Sequence, residues 1–465
     1  MKVDNSQPTP NDASVRRSRW PWILAAGCVL VLLLAVRQSL IKESQPARNV
    51  SKDTQQRELF GTFSASGPAH LPPRFSNSKP AQTAEEIVAS KVVQFGKSRR
   101  KLVHALAKHF KVEVPDDVER FFDAVESGDW EKIDAAHEAL LLSKDQLNQP
   151  RSAELHQIWR SIQETWGAAR EAHNWPAQTL LDYGNAVLGS LKTGMIFAGG
   201  TDPGCFIPTM LNETSDGERH IVLTQNALAD NTYLDYLNFL YGDRMATLTK
   251  DDSQQAFNNY IADAQKRLLH DQQFPNEPKQ IRPGEDVRIT DSNGIQVSGQ
   301  VAVMAINEKL FQMLMDKNPD ASFAMEQSFA FASMYPNSTP LGPVMELRVQ
   351  DEQNALTAQR AAQSVDYWRT TAQQILSDAD AANSPDVRMA YVKMASEQAA
   401  LFSDRKFTAE AGQAYQIAIQ LASSSPDVAN YSKWLIPVVE NGLKISPDNQ
   451  QFRDFLNQLQ QAKKD

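Results

Sequence analysis

Met195-Ile196-Phe197-Ala198-Gly199-Gly200-Thr201-Asp202-Pro203-Gly204-Cys205 is the stretch whose reading decides the fold. A short apolar run ends at paired glycines, a helix-compatible segment runs from Phe206 to Leu211, and a second apolar run, His220-Ile221-Val222-Leu223-Thr224, follows. Strand, glycine-bearing turn, helix and strand make a βαβ unit, which implies a parallel pair. Asp202 suits the N-cap of that helix and Pro203 its first position. In an open α/β sheet the turn lies in the crevice at the strand's carboxyl end, where ligands sit. The glycines follow neither Gly-x-Gly-x-x-Gly nor a Walker loop, and no Lys-Ser/Thr comes after them, so a nucleotide is disfavoured. The acidic residue at the turn also disfavours a bound phosphate.

The candidate ligand-binding residues are therefore Gly199, Gly200, Thr201 and Asp202. Gln225, Asn226, Asp230 and Asn231 join them if the two strands are neighbours. Amides and carboxylates so gathered can hold a sugar or a polar peptide by directional hydrogen bonds. Ordinary helix capping by Asp230 or Asn231 explains the second cluster equally well.

Downstream, helices are expected near 231–241 and 253–270. Val287 to Thr290 and Ile295 to Ser298 flank Asp291-Ser292-Asn293-Gly294, a strong hairpin signal because Asn-Gly accepts positive φ. Val303 to Met315 reads as a helix, and strands near Phe323–Phe329 and Val344–Val349 complete a mixed sheet. Upstream, residues 83–175 carry a helical period. Pro115-Asp116-Asp117 opens one helix, Gly128 stops it, and Asp129 caps the next. Leu155, Ile158, Trp159, Ile162 and Trp166 line one face of a further helix as core. The basic run Lys97-Ser98-Arg99-Arg100-Lys101 reads as a solvated helix face.

After Gln350 the chain is helical again, with Ser384-Pro385-Asp386, Ser425-Pro426-Asp427 and Ser446-Pro447-Asp448 separating segments. Ala411, Tyr415 and Ala418, then Leu435, Val439, Gly442 and Pro447, fit a degenerate tetratricopeptide template. Pro437 inside the second unit is awkward, and a plain helical bundle is the alternative.

The N-terminal part has a different character. Trp20 to Val36 is a run of 17 uncharged residues, roughly 26 Å as a helix, the short end of what spans a bilayer. Trp20 and Trp22 sit where interfacial aromatics belong. No small-x-small cleavage site follows, which favours an uncleaved signal anchor. Residues 1–52 hold eight Lys/Arg against three Asp/Glu, a net of +5; the whole chain is −9, so residues 53–465 carry −14. An acidic body argues against a nucleic-acid partner. The expected organisation is a cytoplasmic tail (1–19), a single transmembrane anchor in the inner membrane (20–36), a disordered linker (37–82), a helical region (83–175), a mixed α/β domain (176–350) and tetratricopeptide-like helices (351–465). The tight Arg16, Arg17, Arg19 cluster favours an inside N-terminus and an extracytoplasmic body.

Reaction chemistry is sparse. Eight histidines include no pair at metal-ligand spacing with a carboxylate, and two cysteines, Cys28 and Cys205, exclude a cysteine zinc cage. There is no Gly-x-Ser-x-Gly elbow. Cys205 sits where a helix N-terminus would lower a thiol's pKa, but it lacks an identifiable histidine partner. No catalytic residue, metal or cofactor is expected.

Met195 to Gly204, together with Val222-Leu223-Thr224-Gln225-Asn226-Ala227-Leu228-Ala229-Asp230-Asn231-Thr232-Tyr233, resembles the soluble extracytoplasmic tail of bacterial protein O-mannosyltransferase-like membrane proteins of the C-type glycosyltransferase class. The similarity continues through Phe274 to Gln280, Pro283 to Asp286, Val297 to Met304 and Met334-Tyr335-Pro336, over roughly residues 175–350. Such tails often run on into tetratricopeptide-like helices. The family's many membrane spans, which hold its transferase site, are not matched here, and the position after Gly204, often basic in the family, is Cys205. The resemblance implies an exported, non-catalytic accessory protein linked to envelope glycosylation or polymer assembly. Its implied partners are the membrane through residues 20–36, a protein such as an envelope glycosyltransferase complex, and a glycan as candidate ligand. The alternative is a glycan-acting enzyme with Asp202 and Asp230 as paired carboxylates, which would need to stand roughly 5–9.5 Å apart.

Overall fold

The computed structural model describes residues 82–142, 149–217, 219–289, 295–327, 329–349, 351–423 and 428–462. The tail, the 20–36 segment and nearly all of the linker lie outside the described residues, as do Ser425-Pro426-Asp427 and the Asn293-Gly294 turn. Among the described residues no helix is long and apolar enough to cross a membrane.

The fold is mostly helical around a small mixed sheet. Helices α1 (Ala84–Phe110), α2 (Asp116–Ser127), α3 (Trp130–Leu140), α4 (Trp159–Asn174) and α5 (Ala177–Ser190) come first. They lead to β1 (Ile196–Gly199), α6 (Asp202–Glu213) and β2 (Ile221–Thr224), with β1 and β2 parallel and Ile196 opposite Ile221. Thus the βαβ unit forms as its pattern predicts. Then come α7 (Asn231–Tyr241), α8 (Lys250–Gln273), the antiparallel hairpin β3 (Asp286–Ile289) and β4 (Ile295–Ser298), and α9 (Gln300–Lys317). The main sheet is completed by β5 (Phe323–Glu326), β6 (Thr339–Leu341) and β7 (Val344–Leu347) in the order β2-β1-β5-β7-β6.

Strand β5 is shorter than the predicted 323–329 because the chain leaves the sheet at Gln327 and turns through a 3₁₀ segment, Ala332–Asn337. The three residues of β6 escaped prediction, since Thr339-Pro340-Leu341 carries too little period to register. The hairpin stands apart as a two-stranded sheet, with its own small core of Ala264, Val297 and Ala302.

Strand β5 pairs with β1 in parallel, Gly199 opposite Glu326, and with β7 antiparallel. The chain therefore winds outward from β1 to β2 and returns past β1 to β5, which makes the β1/β5 seam the topological switch point. Side chains alternate across a strand. Phe323 faces Phe311 of α9 with ring centroids 5.9 Å apart. Glu326, on the opposite face, meets the start of α6.

The C-terminal helices are α10 (Ala358–Ser377), α11 (Ala379–Ala382), α12 (Pro385–Asp404), α13 (Thr408–Ser423), α14 (Ser432–Ile445) and α15 (Gln450–Ala462). Ser384 caps α12 with Pro385 in its first turn. Ala411, Tyr415 and Ala418 are buried. Gly442 lies between helices, since a Cβ there would stand 2.8 Å from the Phe452 ring and 3.5 Å from Tyr415 Cβ. Helix α12 packs against β7, and one buried core runs from Val88 to Leu459 through all these regions.

The basic run of α1 is not wholly a solvated face. Arg99 is 3% exposed. It falls three residues after Gly96 and four before Val103, on the helix's buried stripe. Its guanidinium pairs with Glu164 at 2.9 Å and Glu213 at 2.6 Å and donates to the Tyr236 hydroxyl. Its immediate neighbour Arg100, by contrast, pairs near the surface with Glu119, Asp123 and Glu126. Removing Arg99 leaves two inward carboxylates short of a cation. Arg99→Met is expected to cost about 3 kcal/mol in urea unfolding, whereas Lys97→Met is expected to be near neutral; equal effects would contradict the burial.

His137 stacks against Trp166 at 4.4 Å and Trp159 at 5.5 Å between ring centroids. Burial, helped by the nearby Arg170 charge, pushes its pKa down to about 3. The unfolded chain takes up a proton near pH ~6.5 that the folded imidazole refuses, so this residue lowers stability by about 1.4 kcal/mol per pH unit as acid is added. His137→Phe is expected to flatten the stability profile between pH 6 and 4 by about 2 kcal/mol. An unchanged profile would mean that the imidazole charges freely in place.

Candidate functional site

At the carboxyl ends of the parallel strands, Thr224, Gly199 and Glu326 form one row. The chain leaves β1 as Gly200-Thr201 and enters α6 at once. Gly199 must be glycine, because a Cβ there would stand 2.2 Å from the Gly204 carbonyl oxygen. Thr201, not Asp202, caps the helix: its hydroxyl accepts the Gly204 N–H at 3.0 Å. Asp202 is instead the first helical residue and Pro203 the second. The exchange follows from sterics, since the tight exit from Gly199 puts Thr201 in the extended conformation a cap needs.

The amides at this turn are already engaged. Glu326 is fully buried, and its carboxylate accepts from the N–H of Gly200 at 2.8 Å, the N–H of Thr201 at 3.0 Å and the Thr201 hydroxyl at 2.6 Å. In many α/β proteins a helix N-terminus at this place receives a ligand anion. Here a side chain of the neighbouring strand fills the position. Gly204 is glycine for the same reason, because a Cβ would stand 2.0 Å from Glu326 Oε2. Burial pushes the Glu326 pKa up, opposed by the Thr201 and Gly200 hydrogen bonds and by the more distant Lys393.

The other predicted residues divide. Asn226 joins the turn, donating from Nδ2 to the Gly200 carbonyl at 2.8 Å. Gln225 is fully buried and donates to the Phe329 carbonyl at 3.4 Å and toward Met325 Sδ, stitching the ends of β2 and β5. Asp202 forms an ion pair with Arg170 at 2.8 Å, and Arg170 lies 4.9 Å above the Trp166 ring. Arg170 also holds Glu171 at 2.7 Å, whose pKa burial pushes up to about 6. Asp230 caps α7, accepting from the Thr232 N–H and hydroxyl, both at 2.8 Å. Asn231 begins that helix. Gly199, Gly200, Thr201 and Asn226 thus come together around Glu326, while Asp202 and Asp230 are each engaged in separate structural roles.

Cys205 is 4% exposed, with its thiol directed to the Gly199 carbonyl at 2.9 Å. Burial pushes its pKa far up, so desolvation overrides the helix N-terminus and the group is a thiol at neutral pH. No group of three His, Cys, Asp or Glu side chains among the described residues could hold a metal ion. The Asn212 side chain, in a glycosylation-like triplet, is folded onto the backbone of His220 through two hydrogen bonds.

Three residues that matter here went unread in the sequence: Glu326, Arg170 and Glu397 of α12, which accepts the Gln327 N–H at 2.9 Å. Glu326 left a trace, being the one charge in the otherwise apolar Phe323-Ala324-Met325-Glu326. Nothing local marks the other two.

Compared with protein-family models, curated proteins and solved structures, the chain matches none.

Glu326→Ala removes the acceptor of three buried donors and is expected to destabilise the fold by about 3 kcal/mol. Glu326→Gln, which keeps an acceptor oxygen, is expected to cost much less. Gly204→Ala, which drives a methyl into the carboxylate, is expected to cost about 2 kcal/mol. Urea unfolding measures all three; an Ala variant as stable as the parent would mean that Glu326 does not satisfy the turn.

Proposed function

We propose that the chain is a membrane-anchored, extracytoplasmic binding or scaffold protein, non-catalytic, and accessory to cell-envelope glycosylation or polymer assembly. The observation that carries the non-catalytic part is Glu326. The backbone donors that would receive a substrate anion at the switch point hold the protein's own carboxylate instead. Asp202 and Asp230 are committed to Arg170 and to a helix cap, so nothing favours them as a glycan-cleaving pair.

The membrane part of the proposal rests on the uncharged run Trp20 to Val36 and the basic cluster before it, with the N-terminus cytoplasmic. The partner part rests on the C-terminal helices. Small residues at Gly442 and Ala418 beside Tyr415 and Phe452 are what a tetratricopeptide-like stack requires, and stacks of that kind present extended surfaces to other proteins. The partner proposed is a protein of an envelope glycosyltransferase complex. A glycan is a secondary candidate at the rim formed by Asn226 and Asp202.

Purification of the tagged full chain from detergent-solubilised membranes tests the proposal. Recovery of a glycosyltransferase or another envelope complex with the chain is the expected result. A lone monomer, accumulation in the soluble cytosolic fraction, or turnover of a sugar donor by the purified chain would each defeat it.

A further inference from the structure

Where α12 lies across the strand ends, it brings a second carboxylate beside the first. Glu326 is the last residue of β5, and Glu397 accepts from the N–H of Gln327, the next residue along the chain. Glu326 has only backbone and hydroxyl donors, and Glu397 has a backbone donor. Among the described residues no cation pairs with either carboxylate. Lys393, one turn before Glu397, is a positive charge that acts on both, and its ammonium stands 5.5 Å over the Trp434 ring.

Two more polar groups add to the imbalance. The Tyr183 hydroxyl, on α5, is buried and has no hydrogen-bond partner among the described residues; neither has Gln327 Nε2. With Glu326 fully buried, Glu397 half-buried beside the next residue and no counterion on either among the described residues, the two cannot both ionise cheaply, because desolvation and mutual repulsion act in the same direction.

We infer that Glu326 and Glu397 form a proton-dependent latch between the sheet and the C-terminal helices. In the docked arrangement at least one of the two carboxyls carries a proton, and losing it as the pH rises loosens α12 from the strand ends. The groups facing the pair are Tyr183 from α5, Cys205 from α6, Lys393 from α12, and Tyr335 from the 3₁₀ segment before β6, with Tyr391 of α12 behind Tyr183. Burial pushes the phenols of Tyr183, Tyr335 and Tyr391 and the thiol of Cys205 upward, so they stay neutral between pH 5 and 9. Burial likewise pushes both carboxyls up, Glu397 strongly, with Glu326 as the next contributor.

An acid held above its unfolded value contributes stability that is complete below that value, ~4.3, and is lost as the pH climbs through the folded value. Among the described residues the other hydrogen bonds from α12 to the β6–β7 turn and β7 are neutral, as is its ring contact with α5. Gln398 donates to the Gly342 carbonyl at 2.9 Å and the Val344 carbonyl at 3.1 Å, and Tyr391 meets Tyr183 edge-on. Ionisation of the pair is thus the pH-responsive contact between α12 and the strand ends, while Glu171 titrates against Asp386 at the other end of that helix. The latch stands beside the scaffold proposal without needing it, because partner capture and seam opening are read in separate assays.

Backbone hydrogen exchange of the full-length protein in detergent, from pH 5 to 9 and corrected for intrinsic rates, tests the latch. In the parent chain, protection of α12 amides is expected to fall by up to about tenfold per pH unit once the pair ionises. Glu397→Gln keeps an acceptor for the Gln327 N–H and is expected to remove that fall, leaving α12 with only the pH dependence that Glu171 and His137 give both chains, and with α1 the same in parent and variant as the internal control. Glu171, which also releases a proton in this range, is common to both chains and cancels in the comparison. Should Glu397→Gln fail to fold, Glu326→Gln carries the same expectation. The same pH dependence in parent and variant overturns the latch, and so does a change that α1 shares equally, which would assign the pair to the fold as a whole.

Discussion

Once β1 and α6 are buried, the amides of Gly200 and Thr201 must have an acceptor, and the packed interior around them admits little water. Glu326 meets that need from the next strand. Much of the centre follows from this contact. Gly204 is glycine because of the carboxylate's approach, and Thr201 is drawn into a double role as cap and donor. Strand β5 is also tied to the switch point by more than its ladder. The usual ligand position of an open α/β sheet has thereby become a structural joint.

Inward charged groups paired with partners from distant segments recur around the joint. Arg99 crosses from α1 to Glu164 of α4, Glu213 of α6 and Tyr236 of α7. Arg160 reaches Glu164 and the Thr224 hydroxyl at the end of β2, and its guanidinium lies 5.0 Å over the Tyr233 ring. Arg170 joins Glu171 to Asp202. Three arginines thus fasten the N-terminal helices onto the α/β body. Such networks cost desolvation and repay it through well-placed partners, which ties the orientation of these helices to the sheet.

Legibility differs sharply between elements and site. The βαβ unit, the Gly128 stop, the Asp129 cap and the β3/β4 hairpin were readable because each rests on a local rule of period, turn or cap. Arg99 and Asp202 were misread for a shared reason. A charged residue next to other charges looks solvated, and an Asp before Pro looks like a cap, until partners from distant segments are known. Asn226 was read into the right neighbourhood because adjacent parallel strands place their exits side by side. Glu326 was passed over because a lone charge within a strand pattern carries no local sign of what it will meet.

The amino-acid sequence by itself determined most of the helices and strands, that β1 and β2 run parallel, and which glycine-bearing turn ends at their carboxyl edge. These follow from local period, turns and caps, and from one strand–helix–strand unit whose paired residues lie 25 positions apart. Tertiary structure alone decided what fills that turn, because Glu326 lies 125 positions from Thr201 and Glu397 lies 70 from Gln327. Sheet order brings the first pair together and helix docking the second, and neither is written in the spacing of the residues involved.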